Sequence, residues 1–139
     1  MTPSAFPHRY RKAAEHGYAQ AQHLLGLAYL NGQAVKQDYS EAVKWISKAA
    51  EQGYADAQAD LGSLYYSGTG VRQDDAEAAR WFTKAAEQDR PDAEFTLGRM
   101  YLKGAGVKQD AAAGEKLIRE AAEHGSEQAK AYLKELSGK

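Results

Sequence analysis

The sequence contains no cysteine. Disulfide staples and thiolate metal sites are therefore excluded, while the compartment stays open. It also lacks a charge bias: the formal net charge is −1, with acidic and basic residues interleaved and no run of one sign. Nothing in that balance draws the chain to nucleic acid or to an anionic membrane. No stretch approaches the roughly 18 consecutive apolar residues that read as a membrane span. Met1 to His8 lacks the basic start and apolar run of a secretory signal. As written, the sequence predicts a soluble chain, cytoplasmic unless a removed signal has carried it to the periplasm or outside the cell.

What the sequence does contain is a repeat. The tripeptide Ala-Ala-Glu returns at Ala13, Ala49, Ala85 and Ala121, each time 36 residues after the last. A chain of 139 residues ordinarily encloses one core. A stack of repeated units instead buries apolar surface between neighbours. Much of the 43% hydrophobic content is alanine, which suits helices that approach closely.

Superposition at 36 residues predicts a two-helix unit. The first helix reads Ala21-x-x-x-Leu25-Gly26-x-x-Tyr29, then Ala57-x-x-x-Leu61-Gly62-x-x-Tyr65, then Ala93-x-x-x-Leu97-Gly98-x-x-Tyr101. Alanine, leucine and tyrosine at four-residue steps share one face. A glycine inside a helix costs roughly 1 kcal/mol against alanine, so three in register imply that a partner backbone comes close.

Each first helix is predicted to stop at Gly32, Gly68 or Gly104, in a loop whose valine (Val35, Val71, Val107) turns inward. Asp38, Asp74 and Asp110 open the second helices as caps, and Glu41 and Glu77 complete a capping-box pattern in two copies. The inward stripe is Ala42, Trp45, Ile46, Ala49, then Ala78, Trp81, Phe82, Ala85, then Gly114, Leu117, Ile118, Ala121. Gly17, Gly53 and Gly125 close the second helices, with Asp89 in that place once. Two departures mark points to check: Ala34 replaces a loop glycine, and Leu117 replaces the tryptophan.

Taken together, Ala-x-x-x-Leu-Gly-x-x-Tyr, Gly-x-Gly-Val, Asp-x-x-x-Ala-x-x-Trp and Ala-Ala-Glu-x-Gly resemble the Sel-one-like repeat, a relative of the tetratricopeptide repeat. The resemblance runs from about Arg9 to Leu136. It implies an all-α, right-handed alpha/alpha solenoid. The expected organisation is a single domain of about seven helices: a partial repeat over 1–17, full repeats over 18–53, 54–89 and 90–125, and a capping helix over 126–139. Pro7 confines the opening helix to a shortened form beginning near Ser4 or Pro7.

No catalytic set is apparent. The loop glycines lack the lysine and hydroxyl of a Walker motif and follow no strand, so they read as helix stops. Of His8, His16, His23 and His124, the second and fourth share one repeat position beside a closing glycine, where a helix C-terminus favours positive charge. Glu15, Glu51, Glu87 and Glu123 recur with the period, which argues for scaffolding over acid-base catalysis. No metal, cofactor, nucleic acid or membrane insertion is expected.

Function is expected on the surface. In the related tetratricopeptide superhelix the first helices line a concave groove. The corresponding candidates here are His23, Leu27, Leu30, Asp56, Ser63, Tyr66, Phe95, Arg99 and Leu102, which vary between copies as a surface fitted to an asymmetric ligand would. Tyr66, Phe95 and Arg99 stand out because aromatics and arginine dominate binding hot spots; the competing reading packs them against the adjacent repeat. The expected function is a non-catalytic module or adaptor holding a peptide or protein surface. The alternatives are a structural spacer in a larger assembly, and a hydrolase of the beta-lactam-related kind, which the resemblance links to cysteine-rich relatives. The last helix, with Ala129, Leu133 and Leu136 on one side, offers a face for self-association.

Overall fold

The computed structural model describes residues 5–138, with side chains from Arg9 onward; His8 lies outside the described side chains. Among the described residues the chain is all-α: α1 Ala5–Glu15, α2 Ala19–Asn31, α3 Tyr39–Glu51, α4 Ala55–Ser67, α5 Asp75–Ala86, α6 Pro91–Lys103, α7 Ala111–Glu123 and α8 Glu127–Ser137. The count is eight where the sequence reading expects about seven. The opening half-unit forms a helix of 11 residues, with Pro7 in its first turn, where a missing N–H costs nothing.

Helix ends follow local chemistry. The Asp38, Asp74 and Asp110 carboxylates each accept the N–H three residues on, at 3.1 Å. Only this half of the predicted capping box forms at Asp38. Its own N–H donates to the Tyr29 carbonyl, so Glu41 turns instead toward Lys44 at 3.8 Å. The first helices of the pairs stop at Gly32, Gly68 and Gly104 in the left-handed region, as expected.

The repeated tripeptide marks the other stop. After each second helix a residue with positive φ (Gly17, Gly53, Asp89 or Gly125) reverses the chain. The next N–H then bonds back to the carbonyl of Ala13, Ala49, Ala85 or Ala121. The last three of these alanines are fully buried. The tripeptide recurs because this closure recurs.

The chain divides into two compact units, Met1–Gln73 and Asp74–Lys139. In the first, Trp45 packs with Ala14, Ala21 and Leu25, bordered by Tyr10 and Tyr29. A methyl on Gly26 would lie 2.5 Å from Cγ1 of the fully buried Ile46, so this glycine sets how closely α2 and α3 approach. In the second unit, Phe95, Ile118, Ala121 and Ala129 form one buried cluster, with Leu102, Tyr132 and Leu133 against it. Ala129 and Leu133 of α8 thus pack inward, and of its apolar side only Leu136 is well exposed.

Candidate functional site

In the first unit His23 is buried and donates from Nε2 to Asp60 at 2.6 Å, with Tyr54 stacked at a tilt beside its ring. Leu27, Leu30 and Asp56 are half-buried, while Ser63 and Tyr66 are exposed. In the second unit Phe95 is buried among Ile118, Ala121 and Tyr132. Arg99 is exposed and lies 5.8 Å from the Phe95 ring centroid, while Leu102 packs half-buried. Of the three singled-out residues, Tyr66 and Arg99 face solvent and Phe95 is packed inside its own unit.

A polar relationship that sequence reasoning missed lies where the pairs close. In the first unit Gln22, buried in α2, donates to the Ala14 carbonyl; Gln52 donates both to the Gly17 carbonyl and to the Gln22 side-chain oxygen, each at 2.8 Å. Moving each residue of the set Gly17, Gln22 and Gln52 on by 36 gives Gly53, Gln58 and Gln88, with the types unchanged. Another 36 gives Asp89, Glu94 and His124, and all three types have changed.

Those three come together in the second unit. Glu94 is fully buried in the first turn of α6, and its carboxylate accepts from His124 Nδ1 at 2.8 and 3.0 Å. His124 caps α7, and Asp89 sits exposed in the turn after α5 at φ 61. The ligand-capable atoms of the three lie within 4.8 Å of one another. Burial pushes the Glu94 carboxyl above the usual range, and the bond from His124 works against that. The same bond holds the His124 imidazole above its usual value.

Beside this cluster, Asp89 and Glu120 rim a cavity of about 430 Å³ whose walls include Ala86, Leu97, Tyr101 and Leu117. In the first unit, 72 residues earlier, the corresponding wall surrounds Trp45. Leucine in the tryptophan position leaves this space open. The tryptophans carry a further pattern: Lys44 and Lys48 lie over Trp45, and Arg80 and Lys84 over Trp81, at 4.9 to 5.7 Å from a ring centroid.

The loop glycines serve the backbone. A Cβ at Gly106 would sit 2.2 Å from the Asp75 carbonyl oxygen, and one at Gly70 would sit 2.7 Å from that of Tyr39. Ala34, at the equivalent place, holds the same left-handed conformation at φ 65. Gln37, Gln73 and Gln109 donate side-chain N–H groups to the Leu30, Tyr66 and Leu102 carbonyls, a second periodic device absent from the sequence reading.

This architecture has known counterparts. The Sel1 repeat model matches residues 10–18, 19–54, 55–89 and 91–126. The chain belongs to the Sel1 repeat family, whose members serve in general as non-catalytic protein-interaction scaffolds.

Among solved structures it is similar to a protective antigen present in uropathogenic Escherichia coli strains displaying an SLR fold, with 41% identity and a TM-score of 0.89. That match covers 92% of this chain and 27% of the antigen, so the chain spans about a quarter of that relative. It is also similar to a Sel1 repeat protein from Oxalobacter formigenes, with 38% identity over 91% of this chain and 96% of the other, TM-score 0.85. Helicobacter pylori cysteine rich protein B matches at 25% identity over 91% of this chain and 96% of its own, TM-score 0.73. No curated protein matches. No helix among the described residues is long and apolar enough to cross a membrane.

Proposed function

We propose that the chain is a non-catalytic interaction module that binds a peptide or a protein surface on faces exposed by the first helices of its pairs. One observation carries this reading: the buried stripes repeat almost unchanged, whereas positions outside the stripe on the first helices change type between copies. Leu27, Ser63 and Arg99 occupy one repeat position, and Leu30, Tyr66 and Leu102 another. Tyr66 is 40% exposed and Arg99 lies over the Phe95 ring, and exposed aromatics and arginine are the residue types that dominate binding hot spots. Tyr66 is the anchor assigned to the first unit and Arg99 to the second. His23 and Phe95 support these surfaces from beneath, and Leu27, Leu30, Asp56, Ser63 and Leu102 border them.

The test is capture of partners on immobilised native chain, beside Tyr66→Ala and Arg99→Glu variants whose helical circular dichroism matches the parent. A partner held by the native chain and lost from either variant supports the reading. Capture that both variants leave intact moves the binding face elsewhere, and full biological activity of both would favour the spacer.

A further inference from the structure

We propose that Asp89, Glu94 and His124 form a site for a divalent transition-metal ion of the zinc class, built by three concurrent replacements at one place in the repeat. The first two copies carry Gly-Gln-Gln in this set, and its members in the first unit are joined by neutral hydrogen bonds. In the third, each residue is exchanged for one that can ligate a metal, and all three converge. A random change at any one of these places would leave the other two neutral.

The arrangement suits a cation for three reasons. Glu94 is a fully buried carboxyl whose hydrogen-bond partner, His124, has 35% of its side chain exposed; a cation bound there would compensate the charge that burial disfavours. One imidazole nitrogen with two carboxylates is a donor set for zinc-like ions, whereas calcium and magnesium favour shells made wholly of oxygen. Glu120 and Glu123 act on the same pair and deepen the negative potential.

Zinc ligand bonds of about 2.1 Å place ligand atoms roughly 3 to 4 Å apart, so closing the set takes a shift of about 1 Å from the exposed Asp89. The ion would tie the turn after α5 to the start of α6 and the end of α7. A coordination position facing solvent stays open for water or for a donor from a bound partner.

The experiment is calorimetric titration of the tag-free, metal-stripped full chain with zinc chloride, repeated on the triple variant Asp89→Gly, Glu94→Gln, His124→Gln. That variant restores the residues of the other copies, so it is expected to remain folded. The parent should bind one zinc per chain, and the reverted chain should bind at least about tenfold more weakly. His124→Gln alone supplies the same comparison should the triple variant lose its helical signal. Zinc should also raise the melting temperature of the parent and leave that of the variant unchanged. No uptake by the parent, equal uptake by the reverted chain, or uptake abolished by His16→Gln would overturn the proposal.

Discussion

Gly98 and Gly114 face one another across α6 and α7, backbone against backbone. A methyl on Gly98 would meet the Gly114 carbonyl oxygen at 2.8 Å, and one on Gly114 would meet the Gly98 carbonyl oxygen at 2.7 Å. Gly98→Ala gains about 1 kcal/mol of helix propensity but overpacks a contact that cannot yield, at about 1 to 3 kcal/mol. Urea denaturation should therefore show a net loss; a variant as stable as its parent would mean that the helices can separate freely there.

Trp45→Ala removes the largest side chain of the first core and should cost about 3 to 5 kcal/mol. Leu117→Ala, at the same repeat position but half-buried beside an open cavity, should cost about 1 to 2 kcal/mol. Equal losses in denaturant would contradict the shallower packing of the third copy.

Leu117→Trp should fill the cavity lined by Leu97 and Tyr101, with a gain of about 0.5 to 2 kcal/mol. Calorimetric melting reads this directly. A lowered melting temperature would show that the surrounding helices have closed over a leucine-sized space.

Ala34 and Gly106 share one loop position and should respond in opposite ways. Ala34→Gly relieves a left-handed alanine worth about 1 to 2 kcal/mol, offset by about 0.5 to 1 kcal/mol of unfolded-state entropy, so it should stabilise slightly. Gly106→Ala adds both that strain and a clash with the Asp75 carbonyl, about 2 to 5 kcal/mol together. Thermal melts of the two variants moving in the same direction would contradict this account.

Most of the fold was legible because repetition turns weak local signals into aligned ones. The caps at Asp38, Asp74 and Asp110 and the stops at Gly32, Gly68 and Gly104 lie where the superposed sequence puts them. The repeat marks Asp89 as a stop and His124 as a helix-end residue, but nothing local marks Glu94. Its significance depends on a contact spanning 30 residues, and helical spacing within one segment carries no trace of it. The available signal was the threefold change of type at positions already in register. Gln37, Gln73 and Gln109 escaped for a plainer reason: an exposed glutamine looks like solvated surface until its carbonyl partner is seen.

The loop contacts of Gly70 with Tyr39 and of Gly106 with Asp75 each reach back 31 residues, less than one period. Each copy therefore takes its bearings from the one just before it, and the length of such a chain is quantised. Excising or duplicating a block of 36 residues returns every wedge, closure and stripe to a familiar neighbour, while a block of 35 puts them all out of step.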